Sequence, residues 1–241
     1  MTRRRVHLPP SLIGEARADL TEAARHYLEH VLRLAPGDPV ELFDGRGTAW
    51  EARVGPGFAA LELGPRREVP AGGPAIHLLF ALSKGEKNDL VVQKATELGA
   101  AWLAPWSAER SVVRLDAAKG AERTERWRRI AAEAARQCGR ADVPQVAPPA
   151  PLASALAAVP AGFRVVVLHG EGGAPLGALG LSGAPGVAAV VGPEGGLAPE
   201  ELAACRAAGA LHARLGPRTL RAETAAIAAV ALLQGLVGDL R

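Results

Sequence analysis

The chain has 241 residues, 49% of them hydrophobic, which supplies a packed core and excludes an intrinsically disordered protein. Its 28 basic residues exceed its 25 acidic ones by only three, so a polyanionic partner must be met by a local patch. The two cysteines, Cys138 and Cys205, form no C-x-x-C pair, which excludes a zinc knuckle and fits a reducing, cytoplasmic setting.

The basic start, Met1 to Arg5, meets Pro9 and Pro10 without the apolar stretch of a signal peptide. The longest apolar run, Ala225 to Leu233, is shorter than the roughly 20 residues that span a bilayer, so no membrane segment is expected. Residues 21–32 predict a short helix, with Ala24, Tyr27, Leu28 and Val31 on its apolar side. Val40 to Phe43 and Thr48 to Val54 alternate on either side of Asp44-Gly45-Arg46-Gly47, a hairpin pattern. Ala59 to Leu63 follows as a third strand, so residues 1–70 predict a small β-rich domain. His26-Tyr27-Leu28-Glu29-His30 fits H-x-x-E-H, but no second ligand motif follows, and the histidines read as surface or packing groups. Acids and bases balance here, ten of each, which leaves Arg3, Arg4, Arg5 and Arg33 as local basic candidates. Gly64 to Pro74, rich in Gly and Pro, reads as the linker to a second domain over 75–241.

Past the linker, residues 76–82 predict a strand, and Ser83 and Glu86 have capping-box spacing for a helix that stops at Gly99. Residues 101–106 form the next strand. Residues 123–138 predict an amphipathic helix with Trp127, Ile130, Ala131, Ala134 and Cys138 on one face. From Arg110 to Arg140 nine basic residues outnumber four acidic ones, a concentration suited to a phosphate backbone or to a plain solvated face. Residues 143–151 are Pro-rich and loop-like, and 164–169 predict a strand ending at Gly170-Glu171-Gly172-Gly173. Pro199, Glu200 and Glu201 suit a first helical turn, and the last helix, 223–237, is apolar on nearly every side, as in a buried or subunit-interface helix. The β-α alternation after residue 75 implies an α/β domain with a parallel sheet.

Two turns stand out in this part. Val187 to Val191 leads into Gly192-Pro193-Glu194-Gly195-Gly196, and Leu211 to Leu215 leads into Gly216-Pro217-Arg218-Thr219-Leu220-Arg221, each before a helical pattern. Strand, glycine turn and helix in that order free backbone groups at the carboxyl end of a sheet, where α/β folds bind small ligands. The familiar nucleotide signatures are absent: there is no Gly-Lys of a P-loop, no Gly-x-Ser-x-Gly elbow, and Gly170-Glu171-Gly172-Gly173-Ala174-Pro175 breaks the dinucleotide fingerprint with Pro.

Gly192-Pro193-Glu194-Gly195-Gly196 with Leu215-Gly216-x-Arg218-x-Leu220-Arg221-x-Glu223-Thr224-Ala225 resembles the RsmE family of 16S ribosomal RNA uridine-N3 methyltransferases, in the SPOUT superfamily. Val31-Leu32-Arg33, Phe43-Asp44-Gly45, Gln93 to Gly99, Glu109-Arg110-Ser111, Trp127, Glu133-Ala134-Ala135 and Gln137 to Arg140 extend the likeness over most of the chain; Arg136 departs from it where the family usually has an acid. The resemblance implies an N-terminal PUA-like β-barrel, a C-terminal SPOUT-type parallel sheet with a trefoil knot, S-adenosyl-L-methionine as cofactor, and a homodimer. It also implies 16S ribosomal RNA or the small ribosomal subunit, and not DNA, as partner. It places the cofactor on Leu168, His169 and Gly170, on Val191, Gly192, Pro193 and Gly196, and on Leu215, Gly216, Leu220, Thr224 and Ala225. Arg3, Arg4, Arg5, Arg33, Lys84, Arg110 and Arg140 are the RNA-binding candidates, with Arg221 and Glu194 near the reacting atoms. Arg221 is equally readable as a structural partner of Glu223 or Glu194, and Glu194 as a residue that orders its loop; no general base stands out. The same fold pattern admits a methyltransferase of transfer RNA ribose or an RNA-binding protein with no activity.

Overall fold

The computed structural model describes residues 4–70, 72–111, 113, 115–169 and 172–240. The chain divides into two compact units, Met1–Ala71 with Ala132–Val143, and Gly72–Ala131 with Pro144–Arg241. The segment 132–143 thus groups with the first unit, although sequence reading places it within a continuous 75–241 domain.

The first unit is a five-stranded sheet of β1 (Arg5–His7), β2 (Arg17–Asp19), β3 (Pro39–Phe43), β4 (Thr48–Val54) and β5 (Ala60–Glu68), in the order β1-β3-β4-β5-β2. β1 runs parallel to β3 and the other pairs are antiparallel. β3 and β4 form the expected hairpin. Asp44 Oδ1 accepts the N–H groups of Arg46 (2.7 Å) and Thr48 (3.0 Å), which closes the turn. β5 outruns the expected third strand and absorbs much of the expected linker. The register slips between Trp50 and Ala52, opposite Gly64 and Pro65, so these residues serve a β-bulge inside a strand.

The helix expected over 21–32 divides: α1 (Glu22–His26) is followed by a π-helical turn, Tyr27–Val31. Thr21 Oγ1 caps α1 by accepting the Ala24 N–H at 3.1 Å. Leu28, Leu42 and Leu61 are wholly buried at the centre of this unit. His26 and His30 are exposed, and among the described residues no cluster of His, Cys, Asp or Glu is arranged to hold a metal.

Arg5 corrects an expectation. It is only 2% exposed, with Nε 2.5 Å from Glu41 Oε1, Nη1 donating to the Ala135 carbonyl (3.2 Å), and its guanidinium 4.5 Å from the Phe43 ring centre. An arginine so enclosed holds the unit together and has no free face for RNA. Arg136, the departure from the family pattern, stacks its guanidinium 3.9 Å from the Tyr27 ring centre and bonds Glu133 through Nε at 3.0 Å.

The second unit is one parallel sheet of β6 (Ala75–Ala81), β7 (Trp102–Ser107), β8 (Gln145–Val146), β9 (Ala150–Pro151), β10 (Arg164–Leu168), β11 (Ala174–Pro175), β12 (Gly186–Val191) and β13 (Leu211–Arg214). Its order is β11-β13-β10-β12-β6-β7-β8, with β9 beside β7. β12 is buried along its whole length, as a central strand of Gly, Ala and Val must be. The helices are α2 (Lys87–Glu97), α3 (Ala117–Cys138, whose residues 132–138 fall in the first unit), α4 (Leu152–Ala157), α5 (Pro199–Ala207) and α6 (Ala222–Leu236).

The capping box expected at Ser83 does not form. Glu86 caps α2 without a side-chain bond, and Asn88 Oδ1 instead accepts the Ser83 N–H at 3.1 Å. α5 begins at Pro199, and Glu201 anchors it by accepting the N–H groups of Ala198 (2.7 Å) and Glu109 (2.8 Å). α6 packs on α2, β6 and β12, and buries Ala226, Ala229, Val230 and Leu233 while Leu232 and Leu236 stay exposed. Among the described residues no helix is long and apolar enough to cross a membrane.

Candidate cofactor and substrate site

The registers of β10, β12 and β13 bring three strand ends level: Leu168 lies opposite Val191 on one side and Ala213 on the other. Three loops leave from that line, and between them lies a cleft of about 270 Å³. From the first loop Leu168 and His169 line it, and from the second Val191, Gly192, Pro193, Glu194 and Gly196. From the third come Leu215, Gly216 and Leu220, with Ala225 from α6. These are residues the sequence singled out. Gly170 lies outside the described residues, and Thr224 sits exposed in the first turn of α6, off the cleft wall.

The backbone explains the glycines. Gly196 has φ +72° and Gly216 φ +134°, conformations that side chains resist, and at Gly216 a Cβ would project into open space. At Gly192 a Cβ would come within 3.1 Å of Leu197 Cγ, so the strand end and the returning loop touch only because that side chain is missing. Leu197 itself, with Arg214, Arg218 and Ala222, lines the cleft without having been singled out. The one signal for the two arginines is the acid-free run from Arg206 to Arg221; Leu197 carries none, because only the folded turn brings it back over Gly192.

The charged rim is organised by Lys87, which sequence reading passed over in favour of Lys84. Lys87 opens α2, its Nζ is bonded to Glu194 Oε1, and it lies 3.6 Å from Glu223 Oε2. The bond to Glu194 raises the Lys87 ammonium above the ordinary lysine value, and Lys87 holds the Glu194 carboxyl below its ordinary value. Arg221, the residue before α6, adds its positive field to both. It is exposed and stands beside the cleft without lining it. The alternative of an Arg221 ion pair with Glu194 or Glu223 does not form among the described residues, where both acids face Lys87.

The expected RNA contacts sort by partner. Arg110 donates from Nη1 to the Gly195 carbonyl at 3.3 Å and so props the second loop. Arg140 is held by Asp142 at 2.5 Å with its side chain 14% exposed. Arg4 is half-exposed and 3.7 Å from Asp38, while Arg33 and Lys84 are exposed. Arg3 lies outside the described residues. The basic face of α3 is partly cancelled: Arg126 pairs with Asp89 at 2.5 Å and Arg128 with Glu125 at 2.5 Å.

The family model of the RNA methyltransferase domain matches residues 72–234, and that of the RNA methyltransferase PUA domain matches residues 20–63. The ribosomal RNA small subunit methyltransferase E of Mycobacterium tuberculosis is 39% identical over 217 residues, spanning 87% of this chain and 81% of that one. The chain belongs to this family of RNA methyltransferases. The Neisseria gonorrhoeae ribosomal RNA small subunit methyltransferase E, solved bound to S-adenosyl methionine, superposes with a TM-score of 0.88 at 33% identity, covering 99% of this chain and all of that one. A Legionella pneumophila protein solved with SAM bound superposes with a TM-score of 0.89 at 32% identity, covering both chains completely.

The residues present fit such a cofactor. The cleft offers backbone groups at two glycine turns, and Leu168, Leu197 and Leu220 give it apolar walls for an adenine ring.

Proposed function

We propose that this methyltransferase acts on N3 of a uridine in 16S ribosomal RNA of the small ribosomal subunit, with S-adenosyl-L-methionine bound in the cleft at the ends of β10, β12 and β13. The observation that supports it most is the cleft itself: level strand ends, two glycine turns and apolar walls, in a chain of the methyltransferase E family.

When bound, the cofactor supplies an electrophilic methyl group on a sulfonium sulfur; the N3 electron pair takes that methyl and the sulfur keeps the pair of the broken bond. The chain's part is to hold and to orient. The backbone about Leu168 and His169, Val191 to Pro193, Gly196, Leu215, Gly216 and Leu220, with Thr224 and Ala225 at the start of α6, forms the cofactor seat. Arg221 and Glu194 face the target base, Arg221 answering negative charge on the uracil oxygens. The base must leave its stack to reach them. The PUA domain docks the RNA, with Arg4 and Arg33 among its exposed cations, and Lys84 adds an exposed cation from the second unit. Residues 75–241 make up the SPOUT domain, knotted as a trefoil through the third loop. The outward leucines of α6 form part of a homodimer interface, and the enzyme works in the cytoplasm.

Calorimetric titration of S-adenosylmethionine into the wild type and Arg221→Ala tests the site. Saturable binding in both, with methylation lost only in the variant, is the expected outcome. An absence of binding to the wild type would overturn the reading.

A further inference from the structure

An imide nitrogen attacks a methyl group only after losing its proton, so the site must make the imide anion easier to form. The buried second wall of the cleft bears on this. Val191, Gly192 and Ala222 separate the cleft from a small chamber bounded by Ser83, Asn88 and Glu223. Glu223 Oε2 is buried there and accepts no hydrogen bond, and the cation facing it is Lys87 at 3.6 Å. Lys87 therefore has two counter-ions of different character. Glu223 is fixed in the first turn of α6 with its side chain 13% exposed; Glu194 stands on the lip of the cleft with its side chain 60% exposed. Among the described residues the other charges facing Lys87 are accounted for. Arg221 approaches from the start of α6, Asp89 is taken by Arg126 and by Trp127 Nε1 (2.9 Å), and Glu86 lies 3.8 Å from Arg126.

We propose that Lys87 is a further catalytic residue of this methylation, exchanging the Glu194 carboxylate for the uracil oxygens of the target as the imide ionises, while Glu223 holds it in place. The proposal rests on the reading of the target as a uridine imide. In the step, the N3–H bond breaks and its electron pair stays on the imide, shared between N3 and the two carbonyl oxygens. The proton passes to the Glu194 carboxylate that Lys87 has released, and from there to water. While paired with Lys87, Glu194 is a weakened base; its release restores its basicity at the moment a proton must be taken. The exchange costs little in exposed surroundings, because one charge-assisted bond replaces another.

The test uses the full chain, small-subunit ribosomal RNA and S-adenosylmethionine, with Lys87→Gln and Lys87→Arg. Calorimetry gives cofactor affinity, and single-turnover rates are followed from neutral to alkaline pH. Lys87→Gln is expected to bind the cofactor as the wild type does and to methylate ~100-fold more slowly at neutral pH, the scale of losing one charge-stabilising donor. The gap narrows ~10-fold at alkaline pH, where the imide ionises unaided, and Lys87→Arg recovers most of the rate. A loss that is uniform across pH, or that follows lost cofactor affinity, would assign Lys87 to structure alone and overturn the proposal, as would an undiminished rate. A wild type that binds cofactor but leaves uridine N3 unmethylated would overturn the underlying reading, and the role of Lys87 with it.

Discussion

Arg5 in the PUA unit and Arg218 in the cleft show two opposite uses of the same side chain. Arg5 is enclosed, bonded to Glu41 and to main-chain carbonyls, and its charge is spent on holding strands and the 132–143 segment together. Arg218 is exposed on the cleft wall and makes no ion pair among the described residues. A buried charge needs a partner already in place, whereas a charge kept for a ligand is left in water without one. A partner already in place, more than the number of arginines, tells these two side chains apart.

The largest effect expected from breaking that contrast is at Arg5. Arg5→Met leaves Glu41 with Arg67 alone and removes the Arg5 bonds to the Ala135 and Arg136 carbonyls, a loss of about 3 kcal/mol in stability by urea unfolding. A change under 1 kcal/mol would mean that Arg5 is not the interior tie described. Gly216→Val comes next. With φ +134° the substitution strains the backbone by about 1–3 kcal/mol and places a side chain at the mouth of the cleft, so cofactor affinity should fall at least ~10-fold in a titration.

His77 adds a pH-dependent contrast. Its ring lies between those of Trp102 and Phe163, at 5.2 and 4.7 Å, and burial pushes its pKa down from 6.5 to about 4. A depressed histidine binds its proton more readily when unfolded. Stability is therefore full above pH 6.5 and is lost as pH falls from there through about 4. Denaturant midpoints at neutral and mildly acidic pH should differ in the wild type and differ less in His77→Phe.

The smallest effect is the most selective. Arg218→Ala should leave stability and cofactor affinity nearly unchanged, weaken binding of an rRNA fragment ~5-fold, and lower the salt slope of that binding by ~1. An unaltered slope would remove Arg218 from the RNA contacts.

What was legible in the sequence follows the same division. The strand-to-glycine turns at 192–196 and 216–221 were readable because φ above zero and close approach demand glycine, and ten of the twelve cofactor residues named from them and from Leu168 and His169 line the cleft. Gly64 and Pro65 misled, since a β-bulge uses the same residues as a linker. Arg5 misled because three consecutive arginines look like a surface patch, and only the pairing of β1 with β3 brings Glu41 alongside. Lys87 was invisible because its partners are more than 100 residues away and converge only at the strand ends.

The central claim is tested most directly by digesting small-subunit ribosomal RNA after incubation with the protein and S-adenosylmethionine, and separating the nucleosides by chromatography and mass spectrometry. The account predicts a single new product, uridine carrying its methyl on N3, absent when Arg221→Ala replaces the wild type. A methyl on a ribose oxygen, or no methylated nucleoside from a protein that binds the cofactor, would contradict it.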